Sequence, residues 1–529
     1  MPQYDVVVMG AGHNGLVAAA YLAKAGKSVL VLERAAFYGG GVVTREITVP
    51  GFHHDTHSSS HVMLAGNPMM TEDELGLKSK FGLKYVAMDK PQATLFADGS
   101  HIVTHRNADQ TCESIAKFSE KDAETYRRFA AQSEKLLPMF MQGLYAPPAP
   151  MGPFLAMLSQ SPEGQDIFQL MTRSPIDFVN DMFENEQVKI HMLKPSAELL
   201  HFPDEAGTAM GLFLFPALMH KFGSPKPIGG SGKLSEALVA CVEHFGGQVV
   251  CNREVSKVLT NGGRAVGLET SDGEQYMARD AVIAAIHPKM LDRFVDGLAP
   301  TLVKRAKAGK FSSFNVLQVH MALDKPMAFH AGKALESCQM VQYCHTDRLD
   351  EFLKEYDPLR HGEIPHNQIL SGQDQTRIDS TRAPAGKGIA FTQAFVPYGL
   401  AQGGARQWDE IKHEVGERAL EGARKFVSNL SDENILGRAI QSPLDHERDS
   451  PNSFVEGDIH GLGGNFFQSG GNRPTPELSD YRVPGVKRLY LVGPFMHPGG
   501  SVFGAGRNTV MNVFADMGLN FDRVRKAAV

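Results

Sequence analysis

The stretch Val6-Val7-Val8-Met9-Gly10-Ala11-Gly12-His13-Asn14-Gly15 runs an apolar strand into a GxGxxG turn, and residues 16–25 (LVAAAYLAKA) follow as strong helix formers. Each glycine has its own reason. The first permits the tight strand-to-helix turn, the second lets the backbone approach a pyrophosphate, and the third lets the helix pack on its strand. The helix N-terminus then aims unpaired N–H groups and its positive dipole end at the phosphates. Gly26 stands at the C-terminal cap, and a second apolar run, Val29-Leu30-Val31-Leu32, ends at Glu33, twenty-three residues after Gly10. An acid there accepts ribose hydroxyls and repels a 2′-phosphate, so the pattern predicts a dinucleotide site and argues against NADP.

A chain of 529 residues is long enough for two or three domains around a large core. With 42% apolar and 21% charged residues and a net charge of −6, it has the balance of a globular protein and no basic run to attract nucleic acid. No basic n-region or cleavage site precedes the first strand, which predicts no signal peptide and cytoplasmic residence. The five cysteines form no CxxC or metal-ligand spacing and suit reduced thiols. The charge-free run 206–220 is too short to span a bilayer and contains Pro216, and the longer run 136–162 is interrupted by five prolines, Pro138 to Pro153. The second run, rich in Met, Phe and Leu, suits a loop packed on its own protein, a lid over an apolar cavity, or a peripheral contact with a membrane surface.

Residues 113–137 predict one long helix or a helix pair, with Ser119 and Asp122 as a capping box. Helical character continues over 164–200, with Ser174-Pro175 as a start and Pro195 as an interruption. Alternation then returns: Pro227-Ile228-Gly229-Gly230-Ser231-Gly232 leads into a helix over 233–245, and strands at 248–251, 255–259, 265–269 and 281–285 are joined by hairpin turns. A mixed region over 311–480 carries a helix at 408–428. A strand at 488–492 enters Gly493, and a helix over 509–518 closes the chain. This order predicts an α/β fold in which a Rossmann-like, discontinuous domain with a parallel sheet takes 1–95, 225–310 and 480–529. An inserted α+β substrate domain takes 96–224 and 311–479.

Three motifs carry a resemblance. They are Glu33-Arg34 with Gly39-Gly40-Gly41-Val42-Val43-Thr44, Pro227–Gly232 with its helix and Val255, and Leu491-Val492-Gly493 through His497-Pro498-Gly499-Gly500-Ser501 to Gly504-Ala505-Gly506-Arg507-Asn508. Together they resemble the FAD-dependent phytoene desaturase and amine oxidase superfamily, in the branch of the cyanobacterial-type carotenoid ketolase and of pyridine nucleotide-disulfide oxidoreductase domain-containing protein 2. The similarity covers nearly the whole chain.

The resemblance implies FAD as cofactor, held at Gly10, Gly12, Asn14, Gly15, Glu33, Arg34, Gly40, Gly41, Val42, Val255, Gly493, Gly499, Gly500, Ser501 and Val502. Arg34 and the Val255 backbone would meet the adenine. Gly40 and Gly41 would let the backbone pass the diphosphate and ring, Gly493 would approach the pyrophosphate or ribitol, and the 499–502 turn would lie against the pyrimidine end of the flavin. Where relatives often carry Gly-Gly-Ala, this chain has Gly39-Gly40-Gly41. No cysteine lies near His497, so non-covalent FAD is expected, with a histidyl link as the alternative.

Histidines cluster at His53, His54, His57 and His61, again at His460 and at His497. The spacing of the first group suits no known metal-ligand set. Flavin chemistry asks few acids or bases of the protein; His497, whose motif the resemblance places by the ring, is the first candidate catalytic residue and His460 the second. The 206–219 run, with Met210, Leu212, Phe213, Leu214 and Phe215, reads as core or as the wall of an elongated apolar tunnel. The leading expectation is an FAD-dependent oxidoreductase that dehydrogenates, desaturates or oxygenates a hydrophobic, isoprenoid- or carotenoid-like small molecule. The alternatives are an amine oxidase or dehydrogenase on a smaller substrate, which would want an aromatic cage that Trp408 alone does not make, and a non-catalytic flavoprotein scaffold.

Overall fold

The computed structural model describes residues 3–529. Strand β1 (Gln3–Met9) passes into helix α1 (His13–Lys24), and β2 (Val29–Leu32) pairs parallel to β1, with Val6 opposite Val29 and Met9 opposite Leu32. The strand Gln275–Ala284 flanks β1 on its other side, also parallel, and Leu489–Leu491 pairs parallel to Gln275–Ala284. Gln248–Val250 adds to β2, and the hairpin strands Val255–Asn261 and Arg264–Thr270 extend the sheet antiparallel. Because Val6–Met9 of β1 and all of β2 are buried on both faces, they read as unbroken apolar runs rather than as alternation.

Helix α1 is apolar nearly all round because it is sandwiched between the sheet and two further helices, Gly232–His244 and Gly506–Asp516. The crossing with Gly506–Asp516 is close: a Cβ on Gly506 would stand 2.0 Å from the Asn14 carbonyl oxygen. The buried Glu74 joins the two helices, accepting from Tyr21 of α1 and from Arg507 as a bidentate pair, at 2.8 Å for each Arg507 hydrogen bond.

A second seven-stranded sheet is built from Gln92–Phe96, His101–Thr104 and five strands between Asn315 and Gln441. Its first strand begins at Gln92, ahead of the expected boundary at 95, and pairs with Met340–Cys344. The helix Trp408–Arg424 covers its outer face over an apolar core. Helices from the 108–222 region form an apolar cluster together with Phe96, Ile102, Val316 and Phe395 of the second sheet.

Some local expectations hold and others are corrected. The 113–137 region is a helix pair, Ala108–Ala116 and Glu120–Leu144, and Ser119 caps the second by accepting from the Asp122 N–H at 3.1 Å. The reciprocal half of the capping box is missing, since the Asp122 carboxylate accepts from the backbone N–H groups of Glu184 and Asn185 instead. Pro195 interrupts nothing; it lies within the helix Glu186–Glu198, whose buried Ile190, Leu193 and Ala197 anchor it in the helical core. Pro138 and Pro216 also sit inside helices, where tertiary packing offsets the one backbone hydrogen bond each removes. The helix Met210–Phe222 buries Leu212, Phe213 and Leu214 in the same core, and Met210 and Phe215 pack against it. The five cysteines are free thiols.

Candidate functional site

Ligands of open parallel sheets bind beyond the carboxyl ends of the strands, and here four such ends meet at one cavity. Met9 and Gly10 close β1, Leu32 and Glu33 close β2, Ala285 follows the central strand, and Val492 and Gly493 follow Leu489–Leu491; all line it. Gly10 needs its glycine for conformation, with φ +93°, and a Cβ added there would press on the Ala285 methyl at 3.0 Å. Gly15 needs its own for space, because a Cβ there would stand 2.3 Å from the Gly10 carbonyl oxygen. Gly12 differs: a Cβ there would meet nothing within 4 Å among the described residues, and it faces the cavity at the N-cap of α1. The open space over Gly12 and the free first turn of α1 form a cradle for a phosphate group.

Two buried polar side chains border that cradle without a partner among the described residues, at Nε2 of His13 and Oδ1 of Asn14. Burial pushes the His13 imidazole down to about 4, so it is neutral at physiological pH. The Glu33 carboxylate is fixed by two backbone donors, the Ala11 N–H and the Ala35 N–H, each at 2.8 Å. It is presented at the end of β2, as the ribose reading requires.

The cavity also receives Arg34, Gly40, Gly41, Val42 and Val255, and on the far side Ser501 and Val502. Ser501 has φ +89°, a left-handed conformation that is costly for a residue with a Cβ and is met at sites where a backbone is held for a ligand. Gly499 and Gly500 are adjacent but do not line it. A Cβ on Gly499 would lie 3.5 Å from the Arg473 guanidinium, and Gly500 is backed by His460, whose Cβ would be 2.4 Å from an added Cβ. Gly41 is likewise set by packing, since a Cβ would meet the Phe454 ring at 2.9 Å.

The two candidate histidines part company. His460 lines the cavity and its Nε2 lies 3.2 Å from the Glu198 carbonyl oxygen, an acceptor that places the proton on Nε2 and leaves Nδ1 as the acceptor nitrogen. Burial lowers its pKa. His497 is turned away: its Nε2 bonds the Gly143 carbonyl oxygen at 3.0 Å, and it does not line the cavity. The cluster at 53–61 is divided among separate neighbours. His57 lines the cavity against the rings of His446 and Phe454, His54 packs edge-on to His320, and His61 is buried between Tyr85 at 2.7 Å and Ser231 at 2.7 Å. No group of three His, Cys, Asp or Glu side chains among the described residues is placed to hold a metal ion.

Sequence reasoning misses much of the wall. Thr56, Ser58, Ser59 and Ser60, Asp449 to Phe454, and Glu198, Gln318, Met340, Phe391, Gln393 and Ile459 from outside the first sheet all face the cavity. The histidine cluster around Thr56 is the one signal that points there.

Residues 15–353 match the family described as flavin containing amine oxidoreductase. The chain belongs to this family. One of the subunits of the limonene dehydrogenase of Castellaniella defragrans is 26% identical over 98% of this chain and 96% of its own. The pyridine nucleotide-disulfide oxidoreductase domain-containing protein 2 of Rattus norvegicus is 29% identical over 98% and 94%, and the lycopene-forming phytoene desaturase of Pantoea ananas 25% over 94% and 96%. An oxidoreductase structure from Methanosarcina mazei shares the fold at a TM-score of 0.63, with 17% identity over 97% of this chain and 99% of its own.

The protein is accordingly an FAD-dependent oxidoreductase with a Rossmann-like fold. The residues present fit that cofactor. The cavity supplies a phosphate cradle over Gly12, an anchored acid for a ribose, and unpartnered buried donors and acceptors at His13 and Asn14. No helix among the described residues is long and apolar enough to cross a membrane.

Proposed function

We propose that this flavoprotein oxidises carbon in a small molecule with a hydrophobic, isoprenoid- or carotenoid-like skeleton, by dehydrogenation, desaturation or oxygenation. One observation carries the reading. The cavity that begins at the GxGxxG turn is the same cavity that ends against Phe391, Met340 and Ile459, so the dinucleotide cradle and the substrate wall share one space. Relatives named for limonene and for phytoene span nearly the full length of this chain, which supports the same skeleton class here.

Bound FAD would supply the two-electron acceptor that takes hydride from carbon. Gly10, Gly12, Asn14 and Gly15 with the α1 N-terminus would hold the diphosphate, Glu33 the ribose, and Arg34 and Val255 the adenine. Gly40, Gly41 and Val42 would pass beside the diphosphate and ring, with Gly493, Ser501 and Val502 beyond them and Gly499 and Gly500 shaping the turn. With Nε2 committed to the Glu198 carbonyl, His460 would present Nδ1 as an imidazole acceptor near the ring. The amine alternative lacks the aromatic cage it would want: the cavity wall holds Phe37, Phe391 and Phe454 and, among the described residues, no Tyr or Trp, while Trp408 is buried with its indole N–H on the Tyr398 carbonyl at 2.9 Å.

Anaerobic mixing of the holoprotein with limonene, perillyl alcohol, phytoene and cyclohexylamine tests this, read as loss of the flavin's visible absorbance. Bleaching by a terpenoid is expected. Bleaching by the amine alone overturns the reading, and no bleaching by any of the four favours a scaffold.

A further inference from the structure

The register of the second sheet has a polar consequence. Gln318 stands opposite Gln441 on one side and Gln393 on the other; Gln393 is opposite Ser371, Ser371 opposite Gln342, and Gln342 opposite Thr94. Directly paired residues share a face, so six neighbouring strands present an unbroken row of amides and hydroxyls. Gln318 and Gln393 place this row at the cavity wall. The residues that alternate with it, such as Leu317, Ala394, Leu370 and Tyr343, fill the apolar core under Trp408–Arg424.

A row of glutamines on one sheet face reads as a solvated surface, yet this one is interior. Gln318 is 4% exposed, Gln342 3% and Ser371 3%. The amide oxygens of Gln318 and Gln342 and the Ser371 hydroxyl have no hydrogen-bond partner among the described residues. Buried polar groups are costly unless bonded, and sites that keep them do so for a ligand that bonds them. Glu198 pairs with Lys194 at 2.6 Å and accepts from the Gln393 amide at 3.1 Å, Lys226 donates to Gln373, and the Asp449 carboxylate accepts from the Gln441 amide at 3.4 Å. The carboxylate that the Gln393 amide touches, Glu198, is already paired with Lys194, so a neutral group that donates and accepts would match the amides of Gln318 and Gln393.

We infer that the substrate carries a neutral hydrogen-bonding group, a hydroxyl, carbonyl or amide, that docks on Gln318 and Gln393, and that it is not a plain hydrocarbon. The inference rests on the oxidation of an isoprenoid-like skeleton proposed above and names the polar end of that molecule. Phe391, Met340 and Ile459 would hold the apolar part beside it.

The test titrates holoprotein with matched pairs, limonene against perillyl alcohol and farnesene against farnesol, and reads binding from the perturbed flavin spectrum. At least tenfold tighter binding of each alcohol is expected, with the advantage lost in Gln318→Leu and in Gln393→Met, made separately and checked for FAD content and melting temperature. Equal or tighter binding of the hydrocarbons, an advantage that survives a folded variant, or no binding by either alcohol overturns it. If neither variant folds, the wild-type comparison decides. Bleaching is recorded in the same cuvettes. Alcohols that bind without bleaching leave this inference standing and reject isoprenoid oxidation, while bleaching by hydrocarbons that bind as tightly as the alcohols does the reverse.

Discussion

Arg382 reaches Asp55 at 3.1 Å across 327 residues of sequence, and each side chain is 2% exposed. The same Asp55 carboxylate accepts from the Thr44 hydroxyl at 2.7 Å and from the Ser231 N–H at 2.8 Å, while Arg382 also holds the His53 carbonyl oxygen at 2.7 Å. The pair therefore ties the 44–55 hairpin, the Gly229–Gly232 turn and the second sheet together just before Thr56 to Ser60 enter the cavity. Truncating one partner strands a buried charge, at a cost of about 3–5 kcal/mol. Arg382→Ala is expected to lose that much in chemical denaturation. A loss under about 1 kcal/mol would show that the pair does not tie these segments together.

The glycines of the turn separate fold from cofactor. Gly12→Ala meets no neighbour within 4 Å and keeps an allowed φ of −63°, so the apoprotein should melt where the wild type does while FAD content falls at least tenfold. Gly15→Ala drives a methyl to 2.3 Å from the Gly10 carbonyl oxygen and should lower apoprotein stability itself. Absorbance ratios of the purified proteins and apoprotein melting curves decide. Equal FAD content in Gly12→Ala and wild type would refute the cradle.

Acid sensitivity follows from the buried histidines. Burial pushes His61 and His191 down to about 3 and His320 and His446 to about 4, against about 6.5 for an exposed imidazole. A folded pKa below the unfolded one means that the unfolded chain binds the extra proton. Stability is therefore complete above about pH 6.5 and is lost as pH falls toward the folded values. Each histidine contributes about 1.4 kcal/mol per pH unit in that window. Four of them over two units rival the ~5–15 kcal/mol that holds a domain. Melting temperature should drop steeply between about pH 6.5 and 4.5; a flat profile there would contradict the burial of these rings.

Residues near a phosphate announce themselves because the backbone there tolerates few types: Gly10, Gly12, Gly15 and Glu33 can be read one strand at a time, and the hairpins at 255–270 likewise. Gln318, Gln393, Ser371 and Gln342 cannot. Each stands on a different strand, and only the register of strands drawn from remote parts of the chain gathers them into one inward row. Pro138 and Pro195 mislead for a related reason, since burial of a helix face outweighs the local penalty. His497 sits in a motif that passes the cavity, but the direction of its ring is set by a contact with Gly143, far away in sequence.

Glu33 offers the sharpest single substitution at the cofactor end. Both carboxylate oxygens are spent on backbone donors, Oε2 on Ala11 and Oε1 on Ala35, so the side chain cannot turn without stranding an N–H. Glu33→Gln replaces one acceptor by an NH₂ group that faces a donor, and it weakens whatever hydroxyl the carboxylate would accept. Hydrogen bonds to a charged group are worth about 1.5–3 kcal/mol, which converts to roughly tenfold to hundredfold in affinity. Titration of the apoprotein with FAD should show that loss, and Glu33→Asp, which keeps the charge but not the reach, should fall between the two. If Glu33→Gln binds FAD as tightly as the wild type, the carboxylate serves the turn alone and the ribose is held elsewhere.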